Sequence, residues 1–400
     1  MHQSAKKEAI QLTRGLILLM ATTCGLAVAN LYYNQPLLAD MGRSFHANAH
    51  EMGYTSMLTQ VGYAVGMFLF VPLGDIKERR RLITLLLFAV AFSLVGVATA
   101  QNLLWVNMAS LLVGFTTVVP QVIVPLAAQM APEAERGKVI GTVMSGLLFG
   151  ILLARTVAGF VGGAFGWRSM YWIAAILMLA LAIILWRLLP KSLPEQSLTY
   201  GQLLKSMGQL VVGQPILREA SLMGGLLFGG FSVFWTSLSF FLEGAPYHYS
   251  SEVAGLFGLV GVVGALAAPY AGRLADRYSA NIIVGIFVVI TLLSYLSFGL
   301  WGIKLWGLVL GVILLDLGVQ GAQITNQARI YSLVPEARNR LNTVFMVTYF
   351  VGGAIGSSLG SYAWSKWQWA GVCLAGSIMI LLSLLVWSWG RLSAARSGSH

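Results

Sequence analysis

The sequence predicts an all-α membrane protein whose twelve transmembrane helices form two related six-helix bundles. Three observations support this fold class: an apolar composition, a regular alternation of long apolar runs with short basic loops, and an internal repeat. Of the 400 residues, 57% are hydrophobic and 10% are charged, and the mean hydropathy is +0.77. A soluble domain carries about 25% charged residues, so the composition excludes one.

Apolar runs of about 20 residues match the thickness of a bilayer. The breaks between the runs predict spans at 14–38, 51–73, 82–100, 103–130, 138–164, 168–189, 217–242, 251–271, 281–300, 304–328, 340–363 and 367–389. The net charge of +11 comes from 25 Lys and Arg against 14 Asp and Glu. Because the basic residues lie in short loops on the side of both termini, they predict cytoplasmic termini and a lipid partner, and exclude a nucleic-acid partner.

The two halves of the chain repeat each other at a displacement of about two hundred residues. Asp75 corresponds to Asp276, Gly150 to Gly352, and the Pro-Glu-Ala sequence at 132–134 to that at 335–337. We therefore expect bundles at 1–190 and 215–400. The linker 191–214 gathers leucines and a methionine on one helical face, which indicates a short amphipathic helix on the cytoplasmic surface; a disordered tether is the alternative.

A polar stripe marks the tenth span. Asp316, Gln320, Gln323 and Gln327 recur at i, i+4, i+7 and i+11, so they share one face of a helix. A carboxylate at the bilayer centre costs at least ~2.5 kcal/mol, so this face must line a cavity inside the protein.

Two loop motifs connect the chain to a known family. VPLGDIKERRR at 71–81 places one carboxylate at a helix end before a basic run, and GRLADR at 272–277 repeats this in the second half. The chain here resembles the major facilitator superfamily, and the resemblance covers all twelve spans. It is closest to the bacterial drug and sugar efflux branch. The resemblance implies a cytoplasmic gating cluster, while positive-inside topology is the simpler reason for the arginines. The candidate gating residues are Asp75, Arg79, Arg80, Asp276 and Arg277.

The resemblance also implies that spans 1, 4, 7 and 10 face a central cavity. Amphipathic rings with nearby amides suit a small organic solute. The candidate cavity residues are Asn30, Tyr32, Tyr33, Asn34 and Gln35; Thr116, Thr117 and Gln121; Phe234, Trp235 and Thr236; and Gln320 and Gln323. For the Tyr and Trp side chains, an aromatic belt at the membrane interface is the alternative. In span 4, Pro120 and Pro125 are expected to bend the helix.

Arg155 is the second charge at membrane depth, in the fifth span. Two interpretations of Arg155 and Asp316 stay open. They form a static buried ion pair, or Asp316 exchanges a proton while Arg155 holds an anionic group of the solute. A low-dielectric environment favours the neutral form of a carboxyl group and a nearby cation favours its charged form, so a movable partner makes a proton switch.

No nucleotide-binding loop or catalytic constellation is present in the sequence, and the pair His46 and His50 has no further donors nearby. We therefore expect no enzyme, no cofactor and no metal site. The sequence predicts a monomeric secondary transporter of the bacterial inner membrane that moves a small organic solute by alternating access, as a proton antiporter for efflux. The alternatives are an importer by symport or facilitated diffusion, and a receptor or scaffold that kept the fold.

Overall fold

The structure is a computed structural model that describes residues 13–192, 199–275 and 279–397, and within these ranges the secondary structure is helical. The first half contains α1 Arg14–Ala29, α2 Asn34–Phe45, α3 Ala49–Ile76, α4 Arg79–Ala98, α5 Leu103–Thr116, α6 Val119–Met130, α7 Arg136–Phe165 and α8 Trp167–Leu188. After α9, Tyr200–Gly213, the second half contains α10 Pro215–Glu243, α11 Ser251–Ala275, α12 Ala280–Trp301, α13 Leu305–Tyr331 and α14 Arg338–Ser397.

These helices follow the twelve predicted spans in order, which confirms the predicted fold class. Within the described ranges, ten helical segments are long and apolar enough to cross a membrane, and the Ser251–Gly264 part of α11 is apolar as well. The last of the ten contains two predicted spans. They meet at Gln368, where φ is 52° and ψ is −144°, so the chain turns between them without leaving a gap in the helical assignment.

Spans 1 and 4 are each broken near the midpoint of the helical segment. Span 1 is interrupted between Ala29 and Asn34, and span 4 between Thr116 and Val119. A proline lies just after each break, Pro36 in one and Pro120 in the other. Proline lacks the amide hydrogen and its ring clashes with the carbonyl four residues earlier, so the preceding turn opens. Such irregular backbone is tolerated at this depth only where it is buried in protein or lines a cavity.

Helix α9 lies at the end of the bundle that carries the basic loops, called here the basic end. Thr199 and Gln202 form a capping box at its start. Leu203 and Met207 are buried, and the Tyr200 hydroxyl donates to the Leu69 carbonyl at 3.1 Å. The amphipathic helix therefore packs against the transmembrane helices, and the division at 190 and 214 stays a prediction.

Glycines let helix backbones touch in both halves, and one such seam recurs at corresponding positions of the two halves. In the first half, a Cβ added at Gly150 would lie on the backbone of Gly25, which joins α7 to α1. In the second half, a Cβ at Gly352 would meet the backbone of Gly225 in the same way, joining α14 to α10. Gly150 and Gly352 are partners in the sequence repeat. The repeat is thus visible as the same close contact, which small residues make possible in membranes.

We expect Gly150→Ala to lower the melting temperature of the detergent-purified protein, because the added methyl group meets backbone that cannot move away; overpacking of this kind costs about 1–3 kcal/mol. Gly137→Ala is the matched control on the same helix, where a Cβ meets nothing within 4 Å. Thermal unfolding of both variants checks this. Equal melting temperatures would show that the seam is not closely packed.

Candidate functional site

Arg155 lies inside the membrane-spanning part of α7 with 1% of its surface exposed. Its Nε donates to the Oε1 atom of Gln35 at 2.6 Å. Its guanidinium carbon lies 4.0 Å from the ring centre of Trp235, 4.8 Å from that of Tyr32 and 5.4 Å from that of Phe231. The rings attract the cation through their π faces and shield it from lipid. The break in span 1 places Tyr32 and Gln35 beside Arg155.

One nitrogen of this guanidinium remains without a partner. Nη2 of Arg155 is buried and makes no hydrogen bond to any described residue. Burying a charged donor without an acceptor costs free energy, because the donor loses its hydrogen bonds to water and forms none in their place. The arrangement therefore presents a fixed, desolvated donor edge that is suited to an acceptor group of a ligand.

Asp316 is the carboxylate of the same site, on α13 in the other half, and it is also 1% exposed. Its Oδ2 is buried without a hydrogen-bond partner in the described ranges. Asp316 and Arg155 do not form an ion pair, because their charged atoms are more than 4.0 Å apart. The two charges are still close enough to interact electrostatically. The hydroxyl groups of Tyr32 and Tyr349 also interact electrostatically with Asp316. The static ion pair is not the arrangement found here.

Glycines of α11 border both charges. A Cβ at Gly258 would lie 2.9 Å from Cβ of Arg155, and a Cβ at Gly261 would lie 3.0 Å from Oδ2 of Asp316. Any side chain at either position would press on the charged residue. The sequence analysis missed these glycines, although their spacing of three residues places them on one helix face.

The other candidate residues of spans 1 and 4 lie near the helix breaks. Asn30 and Asn34 are buried, and both polar atoms of Asn30 and Oδ1 of Asn34 have no partner among the described residues. Thr117 is buried with an unpartnered hydroxyl, and Gln121 donates to the Tyr63 hydroxyl at 3.2 Å. The broken spans therefore contribute further unsatisfied polar groups to the middle of the bundle. Tyr33 and Thr116 are buried there as well.

Some candidate residues face elsewhere. Phe234 stacks on Phe298 with ring centres 4.4 Å apart, inside the second half, so it does not join the group around Arg155. Thr236 donates to the Ser357 hydroxyl at 2.9 Å. Gln323 accepts from the Tyr349 hydroxyl at 3.1 Å, while Gln320 is half-buried. Only part of the polar stripe thus points toward Arg155.

The aromatic candidates are not an interfacial belt. Tyr32, Tyr33 and Trp235 are between 2% and 6% exposed, so their rings are covered by protein and not by lipid headgroups. Phe231, which the sequence analysis missed, belongs to the same group. It lies four residues before Trp235, on the same helix face, and this spacing is the signal that was available.

Gln60 is a second residue that the sequence analysis missed. This buried amide of α3 donates to the Ser357 hydroxyl at 3.1 Å and to the Ser232 hydroxyl at 3.4 Å, both in the second half. Its Oε1 has no partner in the described part of the chain. Gln60 therefore connects the halves by hydrogen bonds near the middle of the membrane.

The first loop motif makes most of its contacts within the first half. Asp75 pairs with Arg79 at 3.4 Å, and Arg79 also contacts the Gly74 carbonyl and Gln129. Arg80 donates to the Leu189 carbonyl at 3.2 Å. Asp75 also interacts electrostatically with Arg340, which lies in the second half.

In the second copy of the motif, Asp276 and Arg277 lie outside the described residues. The gating role of both copies stays a prediction.

The family model described as Major Facilitator Superfamily matches residues 18–325 and 220–398. The chain belongs to the major facilitator superfamily. The uncharacterized transporter YgaY of Escherichia coli O157:H7 is 45% identical over 94% of this chain and 96% of its own length. A transporter of Streptomyces coelicolor, SCO4007, is 31% identical over 91% and 85%. A crystal structure of a mutant nucleoside transporter NupG covers 93% of this chain and 99% of its own, with a TM-score of 0.75 and 14% identity, and shows the shared fold.

This member of the superfamily also has a charged contact between its halves at the end opposite the basic end, called here the far end. Arg43, near the end of α2, pairs both with Asp40 of its own helix and with Glu243 at the end of α10. Beside the contact lies a cavity of about 500 Å³ lined by residues of both halves, among them Gly42, His46, Phe240 and Trp364. Arg43 thus connects the two halves at the far end through its ion pair with Glu243.

We expect Glu243→Gln to loosen the far end, because it removes the charge that holds Arg43 across the halves. The readout is the maleimide alkylation rate of a cysteine introduced at Ser239, a buried position one turn further into the membrane, after Cys24 and Cys373 are replaced by alanine. Asp40→Asn is the matched control, because Asp40 lies in the same half as Arg43. Faster alkylation in the Glu243 variant only is expected, and equal rates in both would contradict a bridge between the halves.

Proposed function

We propose that this chain is a proton-coupled secondary transporter that exports a small organic solute across the bacterial cytoplasmic membrane by alternating access. The membership of the superfamily supports transport. The observation that carries the proton coupling is Asp316, a buried carboxyl group that has, among the described residues, an unpartnered oxygen and no ion pair within 4.0 Å. An ionised carboxylate in this position has no counter-charge in contact, and a bound proton or a cationic ligand removes the deficit.

The placement of the charges on different halves supports alternating access. Arg155 is on α7 of the first half and Asp316 on α13 of the second. When the halves move against each other, the distance between the two charges changes, and so does the electrostatic stabilisation of the ionised carboxylate. Asp316 then takes up a proton when Arg155 is far and releases it when Arg155 is near. A receptor or scaffold has no use for a carboxyl group whose charge depends on this movement.

The resemblance of the sequence to the drug and sugar efflux branch supports export as the direction of transport. Cytoplasmic termini follow from the basic loops, and the monomer follows from a site that one chain builds alone.

Proteoliposomes that contain the pH-sensitive dye pyranine test this proposal. The solutes added outside are amino acids, amines, carboxylates, monosaccharides and nucleosides. A solute that enters in exchange for protons makes the lumen alkaline, and a solute that enters together with protons makes it acidic. We expect alkalinisation with at least one class, because export against protons is an exchange.

Asp316→Asn is expected to abolish the proton signal, because the amide cannot gain or lose a proton at this position. Glu133→Gln, at an exposed loop position, is the control and keeps the signal. A normal signal in the Asp316 variant removes this residue from the coupling. Acidification in the unchanged protein shows an importer by symport.

A further inference from the structure

The unpaired groups of Arg155 and Asp316 restrict the chemistry of a solute that can bind between them. Resting on the transport function proposed above, we propose that the solute is a small zwitterion, an amino-acid-like molecule whose carboxylate binds Arg155 and whose ammonium group binds Asp316. The two side chains come from different halves, so the zwitterion would bridge the halves where the protein leaves its own charges unpaired.

The free edge of Arg155 selects a planar anionic group. A guanidinium has five N–H donors in one plane, and its two faces carry no donor. Here the rings of Tyr32 and Trp235 lie over the guanidinium, and its Nε donates a hydrogen bond to Gln35. Its Nη2 has no hydrogen-bond partner among the described residues. An acceptor must therefore approach in the plane of the guanidinium, and a carboxylate matches that geometry.

The unpartnered oxygen of Asp316 selects a donor. An ionised carboxylate only accepts hydrogen bonds, and an ammonium group supplies three N–H donors together with the opposite charge. Gly261 borders this carboxylate, and a Cβ there would come within 3.0 to 3.2 Å of its oxygens and its carbon. The glycine keeps the carboxylate free of side-chain crowding from α11.

Charge balance separates a zwitterion from a singly charged solute. The site contains one positive and one negative side chain, and among the described residues neither has an ion-pair partner. A solute with one charge satisfies one side chain and leaves the other as an uncompensated buried charge, which costs several kcal/mol. A zwitterion satisfies both and adds no net charge to the membrane interior.

A zwitterion also fits exchange with protons. A proton on Asp316 removes the negative charge that the ammonium group needs, so proton and solute compete for the same carboxylate. A purely anionic solute behaves in the opposite way, because protonation of Asp316 removes a repulsive charge and favours its binding. Competition is the requirement for an antiporter, so the solute class and the proposed direction support each other.

The aromatic groups beside the charges favour an apolar body for the solute. Phe231 lies between Trp235 and Phe228, with ring centres 5.9 Å and 5.4 Å away, on one face of α10. Phe228 also stacks on Tyr349, whose hydroxyl feels the charge of Asp316. The charged groups of the site thus adjoin a continuous row of rings, which suits an aromatic or branched aliphatic side chain.

The test is isothermal titration calorimetry of the full chain in detergent with two matched sets of probes. One set is L-phenylalanine, 2-phenylethylamine and 3-phenylpropionate, and the other is L-leucine, 3-methylbutylamine and 4-methylpentanoate. We expect the zwitterion of at least one set to bind at least about tenfold more tightly than both of its singly charged analogues. In Arg155→Met, we expect the zwitterion to bind no more tightly than the amine. In Asp316→Asn, we expect it to bind no more tightly than the acid.

Arg155→Lys keeps the charge, so it retains the preference over the amine while binding more weakly. Size-exclusion profiles like that of the unchanged protein show that a variant is folded. The zwitterion proposal is overturned if, in both sets, an acid or amine binds as tightly as its zwitterion, or if neither zwitterion binds. If monosaccharides or nucleosides cause proton movement in the pyranine assay while zwitterions do not bind, the proposed solute class is wrong and the proposed transport stands. If zwitterions bind but no solute moves protons, only the proposed transport fails.

Discussion

An arginine and an aspartate are held inside the membrane-spanning bundle without neutralising each other, and the local structure follows from this constraint. Arg155 is stabilised by the π faces of Trp235 and Tyr32 and by the amide oxygen of Gln35, so its cost of burial is offset without a carboxylate. In the described part of the chain, Asp316 has no equivalent set of donors. The carboxyl group is therefore the less satisfied of the two, and its charge is the one that depends on what else binds.

The division into two related halves explains how the surroundings of Arg155 and Asp316 can change. Each half is consolidated by its own glycine seam, Gly25 with Gly150 and Gly225 with Gly352, where backbones touch. The contacts between the halves include the hydrogen bonds of Gln60, the ion pair of Arg43 at the far end, and a close approach of α7 and α11 at Gly159 and Gly255. Close packing makes each half rigid, while the polar contacts between the halves can be exchanged for others when the halves move.

Much of the fold was predictable because a bilayer imposes a simple rule on sequence. Each span needs about 20 apolar residues, and most turns between spans are marked by charge or by proline and glycine. The candidate site was predictable where a residue is out of place in lipid, as Asp316 and Arg155 are. Phe231, Gln60, Gly258 and Gly261 escaped notice, because an apolar ring, a single amide or a glycine is unremarkable in a span.

The sequence by itself determined the fold class, the family and the two charges at membrane depth, because hydropathy, loop charge and the repeat are properties of short stretches of chain. Only the tertiary structure decided that Arg155 is enclosed by rings and Gln35 and does not pair with Asp316, and that Phe234 turns away from them while Trp235 turns toward them. Those outcomes depend on how helices rotate and approach one another. Helix rotation is set by the packing of many residues together, so no single stretch of the sequence contains it.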